Sequence, residues 1–502
     1  MKSLWLESIE KRMSFSTLSQ NEETDICIVG AGIFGLTCAY YLTQLGYRVI
    51  ILEKDEIGEK ATGNTTAKIT SQHNLFYNYL INSYGKKFAS DYLKANEQAI
   101  QNIKQIIDKE KIKCDFEYQN NYVYTTKKSE LPMIKKEVSA VESLDFSCEF
   151  VTKTGLPFEI EGAICFKKQA QFHPLKYLYG LCNSVSSHNG KIYTHTVVTN
   201  IEKDNTSSNY IVSTNKHIIK SKFVIIGTHY PFINFPGFYF TKMYQSTSYL
   251  IAVDTKKSLF KGMYINPSTP TFSFRTAKYN GKELLLIGGG DHKTGQPSCY
   301  KDTYGILEKE AKKFYPDCEV LYHWNTRDCI SLDEIPYIGS YSTFMPNVFV
   351  GTGFKKWGMT LSNIAANIIV DNINGKTNQY ESIFKSSRLK PIKNINELKN
   401  VLVQSTNSLI IDKFKIANMS FDEIQNNSGS IIEINKEKIG IYKDSNGKIF
   451  AVKPICTHLG CLLSWNDIDK TWDCPCHGSR FDYKGKNLYD PAFKDLEQYS
   501  LE

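Results

Sequence analysis

The tightest constraint on this fold is a run near the N-terminus, Asp25-Ile-Cys-Ile-Val-Gly30-Ala-Gly32-Ile-Phe-Gly35. Its first half has the continuous apolar pattern of a buried strand. Its second half, Gly-x-Gly-x-x-Gly, leads into a helix pattern with Leu36, Ala39, Tyr40 and Leu42 on the apolar side. A second strand, residues 48–52, ends in Glu53, close to the spacing of about 20 residues at which an acidic group meets a ribose. Gly30 makes the tight turn, Gly32 admits a pyrophosphate close to the backbone, and Gly35 lets helix and strand touch. The helix N-terminus then stabilises the phosphate charge. The combination requires an α/β, doubly wound domain that binds a dinucleotide.

A chain of 502 residues has room for three or four domains. Hydrophobic content of 41% with 22% charged residues is that of an ordinary globular protein. The net charge of +8 is spread over Lys-rich stretches such as 135–137 and 385–393, which read as solvated faces, so no nucleic-acid partner is expected. No stretch of 18 apolar residues is present, and the first 23 residues lack the apolar core of a secretory signal. A cytoplasmic protein without an integral membrane segment is expected.

Nine of the 13 cysteines (Cys27, Cys38, Cys114, Cys148, Cys165, Cys182, Cys299, Cys318, Cys329) are scattered and read as reduced, buried residues. The other four crowd into residues 456–476, in the runs Cys456-Thr-His-Leu-Gly-Cys461 and Cys474-Pro-Cys-His-Gly-Ser479. A Cys-x-His pair and a Cys-x-x-His pair offer two thiolates and two imidazoles. Such a set suits Zn²⁺, although zinc motifs usually pair Cys with Cys and His with His. It also suits a [2Fe–2S] cluster with Cys456 and Cys474 on one iron and His458 and His477 on the other. The flanking residues resemble the two ligand loops of the Rieske family. That resemblance implies a one-electron carrier and an all-β C-terminal domain. Cys461 and Cys476 stand where respiratory-type Rieske proteins form a disulfide between the loops. Ser479 matches a serine that donates to a cluster sulfide, and Phe481 replaces a tyrosine donor, which implies a lower potential. An oxygenase would need a further His, His, carboxylate iron site. None of the remaining histidines (His73, His173, His188, His195, His217, His229, His292, His323) forms an H-x3–5-H pair.

Three further segments distinguish FAD from NAD. Residues 58–73 are rich in small and hydroxyl side chains, residues 222–227 form an apolar strand ending at Gly227, and residues 347–362 run through Gly353-Phe-Lys-Lys-Trp-Gly-Met-Thr360 into an apolar helix. This layout resembles the D-amino acid oxidase/glycine oxidase/sarcosine oxidase family of FAD enzymes. Joined to a Rieske domain, it is similar to a group of bacterial fusions that share the Thr65-Thr-Ala-Lys-Ile-Thr70 loop and the Gly288-Gly-Gly-Asp-His-Lys-Thr-Gly295 segment.

The resemblance implies that Gly30, Gly32, Ile33, Phe34 and Gly35 face the FAD pyrophosphate, that Glu53 and Lys54 hold the ribose, and that Thr62, Thr65, Thr66 and Lys68 wrap the phosphates. Val198 would meet the adenine, and Gly227, at the end of its strand, would also border the cofactor. Gly353, Phe354, Lys356, Gly358, Met359 and Thr360 would line the flavin, the last two nearest its O2. Thr360 stands where the family often has a lysine, leaving charge compensation to backbone amides, Lys355 or Lys356. Lys68 reads equally as a flavin-proximal charge or a structural pair. Arg275 reads as a carboxylate clamp or a salt bridge, and His292, in a Gly-rich turn, as a substrate contact. Tyr249 alternates with apolar neighbours and reads first as core.

The expected organisation is a discontinuous FAD-binding domain (24–78, 154–235 and 321–376), a mixed α+β substrate domain (79–153 and 236–320), a linker (377–407) and a Rieske domain (408–502). The expected activity is oxidation of a small molecule, an amine or amino acid. Electrons pass singly from FAD to the cluster and to an external acceptor, a protein or a quinone-like molecule; a homo-oligomer is compatible. The alternative is an electron-transfer or redox-sensing protein without an organic substrate.

Overall fold

The structure is a computed structural model and describes residues 3–296, 302–388 and 420–501. Strand Glu22–Val29 lies at the centre of the first sheet, parallel to Val49–Leu52 on one side and Ile218–Ile226 on the other. Its residues 26–29 are all buried, as they must be in a parallel strand covered on both faces. Eight described strands make up this sheet, closed at one end by the hairpin Tyr337–Ser342 and Met345–Thr352. Helix Ile33–Gln44 packs on it, against helices Gly358–Ile373 and Pro174–Ser187. Gly30 takes φ +105°, and a Cβ there would meet the Gly227 carbonyl oxygen at 2.6 Å. A Cβ on Gly35 would lie 2.0 Å from the Gly30 oxygen. Neither position tolerates a side chain.

The second sheet has nine described strands, running from Glu319–Ser331 through Met243–Asp254, Lys282–Lys293, Phe272–Tyr279 and Met263–Ile265 to Glu117–Thr125, Gly162–Gln171 and Lys68–Ile69, with Glu149–Val151 off the path. Helices Tyr77–Tyr84, Lys86–Lys109 and Leu131–Glu142 flank it. The expected division is redrawn at three points. Lys68–Ile69, Gly162–Gln171 and Glu319–Ser331, placed by sequence in the FAD-binding domain, are hydrogen-bonded into this second sheet. Strand Glu117–Thr125 is a part of the expected 79–153 segment that joins this sheet.

The start of the expected linker is packed against the first domain: Ile383 and Phe384 are buried, and Arg388 pairs with Asp333 (2.6 Å). Residues 389–407 lie outside the described residues. The C-terminal region is all β, with the meander Ser428–Ile434, Glu437–Lys443, Ile449–Val452 and a second sheet of four short strands from Ser464–Asn466 to Asn487–Tyr489. Trp472, Phe481 and Leu463 fill its core. Among the described residues no helix is long and apolar enough to cross a membrane.

Candidate functional site: a flavin cleft walled by an iron–sulfur domain

A cleft of about 2050 Å³, its mouth included, runs from the Gly-rich turn to the second sheet. Gly30, Gly32, Ile33, Phe34, Glu53, Lys54, Thr62, Thr65, Thr66, Lys68, Val198, Gly227, Phe354, Lys356, Gly358 and Met359 all line it. Both Glu53 oxygens accept backbone hydrogen bonds, from Ala31 (2.8 Å) and Asp55 (3.0 Å). Burial pushes this carboxyl up and the two amides draw it back. Thr62 Oγ1 accepts from the Ile33 amide at 3.1 Å, tying the hydroxyl-rich loop to the helix N-terminus. That loop is held from below by an N-terminal strap: Trp5 Nε1 donates to the Thr65 oxygen (2.7 Å), and Ser3 Oγ donates to the Gly63 oxygen.

Several residues take other places than expected. Lys54, on the cleft wall beside Glu53, pairs with Asp490 of the C-terminal region (2.7 Å). Arg275 is buried and spends its guanidinium on the oxygens of Thr66 (2.8 Å), Ala67 (3.0 Å) and Thr276 (2.9 Å), under the Trp5 ring, so it braces the loop and is not presented to a carboxylate. Burial, chiefly, pushes it down to about 9. His292 stacks on Tyr249 (5.7 Å) off the cleft wall; its neighbour Asp291 lines the cleft instead. Thr360 is also off the wall, its Oγ1 3.4 Å from the Thr70 oxygen and from His73 Nε2, because its position on the helix turns it inward. Gly35 and Gly353 shape the backbone without lining the cleft. Lys68 is buried, donating to the Tyr264 oxygen (2.7 Å) and Ser273 Oγ (2.6 Å); burial, then Arg275, pushes it down to about 7.

Sequence reasoning missed the acidic face of the cleft. Lys356 Nζ lies 3.1 Å from Asp291 Oδ2. Burial raises Asp291, but Lys356 prevails and holds it below the usual carboxylate range. Burial pushes Asp328 up to about 6, with Lys356 drawing it down and Asp291 adding to the rise. Lys355 and Lys356 have φ of +44° and +68°, a strained bend of the kind that collects at functional sites. Among the described residues, Ser248 Oγ, Ser362 Oγ, His229 Nε2 and two nitrogens of Arg327 are buried, line this cleft and have no protein partner. Such atoms require a polar ligand, and an extended dinucleotide along the Gly-rich turn fits.

The two cysteine runs form matching turns. In each, the first residue's oxygen accepts from the fifth residue's amide (Gly460 to Cys456, 2.9 Å; Gly478 to Cys474, 3.0 Å), and its own amide donates to the sixth residue's oxygen (2.8 Å in both). Cys461 and Cys476 are disulfide-bonded and hold the turns together. They lie close to Cys474 Sγ, but bonded sulfurs are not open to a metal. The rings of His458 and His477 meet edge-on at 5.1 Å, and among the described residues their buried Nδ1 atoms have no partner. His458 Nε2–H donates to Asn234 Oδ1 (2.7 Å), which leaves Nδ1 as the lone pair. Burial pushes His458 down to about 4 and His477 down to about 3, so both are neutral. A hydrogen bond with the Cys474 thiol, chiefly, holds the Cys456 thiol below its usual value. Two neutral imidazoles and two adjacent thiols fit a [2Fe–2S] centre with mixed ligands.

The two sites adjoin. Gln245, on strand Met243–Asp254 and lining the cleft, donates from Nε2 to the oxygens of His477 and Asp490, 2.9 Å each. Gly478, φ +81°, packs against it; a Cβ would meet the Gln245 side chain at 2.6 Å. On the neighbouring strand Glu319–Ser331, Asn325 and Arg327 reach Asp469 (2.9 Å) and the Tyr489 ring (3.9 Å) of the C-terminal region. Trp324 donates instead to Asn64 (3.0 Å), and Asp328 faces the cleft.

Comparison with known proteins agrees with this reading. The family described as DAO, FAD dependent oxidoreductase, matches residues 25–372, and the Rieske [2Fe-2S] domain matches residues 415–500. The chain belongs to the FAD-dependent oxidoreductase (DAO) family and carries a C-terminal Rieske [2Fe-2S] domain. It is 37% identical over 489 residues, 97% of this chain and 96% of the relative, to YhfW of Bacillus subtilis, named as a Rieske 2Fe-2S iron-sulfur protein. It is 21% identical over 395 residues to gamma-glutamylputrescine oxidoreductase of Escherichia coli, covering 76% of this chain and 90% of that one. Among solved structures, glycine oxidase from Geobacillus kaustophilus shares the fold (TM-score 0.62, 17% identity), over 74% of this chain and all of that one. FAD and a [2Fe-2S] cluster are the cofactors these domains imply, and the protein is an oxidoreductase.

Proposed function

We propose that this protein is a dehydrogenase that oxidises a small amine or amino acid and delivers the electrons, one at a time, through its Rieske domain to an external acceptor. Bound FAD supplies a hydride acceptor and the cluster a one-electron carrier. Gly30, Gly32, Glu53, Thr62 and Val198 would hold the dinucleotide, and Cys456, His458, Cys474 and His477 the irons. Lys68 fixes Ser273 and the Tyr264 carbonyl, and with them the wall above the flavin end. Asp291 and Asp328 give that wall an acidic face suited to a substrate ammonium. Asp328, raised to about 6, can take the proton that an ammonium must lose before it gives up hydride. Arg275 offers no carboxylate clamp, which weights the reading toward the amine end of the substrate.

The observation that carries this reading is the Gln245 side chain, which belongs to the cleft wall and holds the carbonyl of a cluster-ligand residue. The test is anaerobic mixing of the loaded protein with a panel of amines and amino acids, following flavin absorbance and the reduced-cluster EPR signal. Flavin bleaching followed by the signal is expected; bleaching with no signal would sink the proposal.

A further inference from the structure

Two uncharged loops meet beside the cluster histidines. Residues 230–241 (Tyr-Pro-Phe-Ile-Asn-Phe-Pro-Gly-Phe-Tyr-Phe-Thr) and 337–347 (Tyr-Ile-Gly-Ser-Tyr-Ser-Thr-Phe-Met-Pro-Asn) contain no Asp, Glu, Lys or Arg, in a chain of which 22% is charged. Their tips are aromatic and open: Phe235 is 61%, Phe238 45% and Phe344 80% exposed. Phe235, Phe238 and Phe240 touch one another, with ring centroids 5.1–6.2 Å apart. The hairpin that carries Phe344 is fastened to the same loop: Tyr341 OH donates to the Ile233 oxygen (2.5 Å), and Tyr341 stacks on Tyr239 (5.3 Å). Behind this crest lies the cluster. Asn234 caps His458, and Phe240 meets the His477 ring edge-on at 5.9 Å. Lys242 follows the first loop, over Tyr239 and Tyr337. On the cluster side, exposed Phe493 stands beside Lys494, whose oxygen accepts from Thr457 in the ligand turn.

Contiguous exposed aromatic tips mark an interaction site. A protein partner would be met by a polar, charged rim around the aromatic centre, which these loops lack. Phenylalanines at uncharged tips with lysines behind them suit the interface of an anionic bilayer, where apolar rings insert and ammonium groups stay at headgroup level. We infer that this crest seats the protein on a membrane surface and turns the histidine side of the cluster toward a lipid-dissolved quinone. The inference rests on the proposed outward electron flow. The two electrons released per substrate would leave singly on this side. The quinone, taking both and two protons from water, becomes the quinol.

The full-length protein, loaded with both cofactors, is mixed with vesicles of phosphatidylcholine alone or of phosphatidylcholine and phosphatidylglycerol in equal amounts, with ubiquinone in the bilayer. Wild type is expected to sediment with the anionic vesicles. The triple variant Phe235→Ser/Phe238→Ser/Phe344→Ser should bind at least about tenfold more weakly, and Phe344→Ser alone should fall between them. After stoichiometric reduction by dithionite, quinol formation should slow in the same order, while ferricyanide in solution reoxidises all three equally fast. Equal binding by wild type and variants would overturn the inference, as would absence of binding. So would a dimer that the variants dissolve, which would assign the crest to a second copy. Failure of substrate-reduced flavin to reduce the cluster would count against the proposed function alone, because vesicle binding is read independently of it.

Discussion

The Gln245 amide lies 2.9 Å from the main-chain oxygen of His477, so a side chain from the flavin cleft holds a cluster-ligand residue directly. Truncation to Gln245→Ala removes this hydrogen bond and the one to Asp490, and unpacks Gly478. Stopped-flow measurements should show flavin reduction by substrate unchanged and cluster reduction slowed severalfold, because electron transfer weakens with each added ångström between the centres. Equal slowing of both phases would mean that Gln245 acts on the cleft and not on the junction.

Trp5 is buried, donates to the Thr65 oxygen and covers Arg275. Trp5→Ala should cost about 3–5 kcal/mol of stability and loosen the loop that borders the pyrophosphate. Urea unfolding gives the first quantity. FAD retained through gel filtration gives the second, and it should fall well below wild type.

Asp328 has a folded pKa near 6, above its unfolded value of about 4. Between those values the folded state binds more protons than the unfolded one, so this residue's contribution to stability declines as pH rises from about 4 to about 6. In Asp328→Asn that dependence should vanish. The variant should gain up to about 3 kcal/mol relative to wild type across the window, read from urea unfolding at successive pH values. The same substitution should weaken amine-dependent flavin reduction about tenfold or more at neutral pH.

The bond between Cys461 and Cys476 spans 15 positions and joins the two ligand turns. Replacing both by serine should destabilise the C-terminal region by about 3 kcal/mol, in line with the loop it closes. Loss of cluster absorbance in urea at a lower midpoint than wild type, with flavin fluorescence unmoved, is the expected result.

Features that depend on local backbone were legible in the sequence. Gly30 and Gly35 are dictated by contacts inside one strand–turn–helix unit, and the Cys-x-His and Cys-x-x-His turns each close within six residues. Features that depend on distant partners were not. The pairing of Lys54 with Asp490, 436 positions away, carries no mark in the sequence. Arg275 looked like a clamp because its partners at Thr66 and Ala67 lie over 200 positions upstream. One signal was available: Arg327 and Asp328 put opposite charges side by side in a strand, where alternation must send them to opposite faces.

Strand Glu319–Ser331 therefore serves two clients at once: Trp324 and Asp328 look to the flavin side, Asn325 reaches the iron–sulfur side, and Arg327 stacks on Tyr489 at the seam between them while still lining the cleft. Its pleat makes the assignment all or none. A single-residue insertion ahead of Trp324 would not weaken one site and spare the other; it would turn a carboxylate toward Tyr489 and lift the Arg327 guanidinium off that ring in the same move. Two proteins tethered end to end could drift apart in length and sequence independently. Here a shared strand makes any such drift count in both halves together.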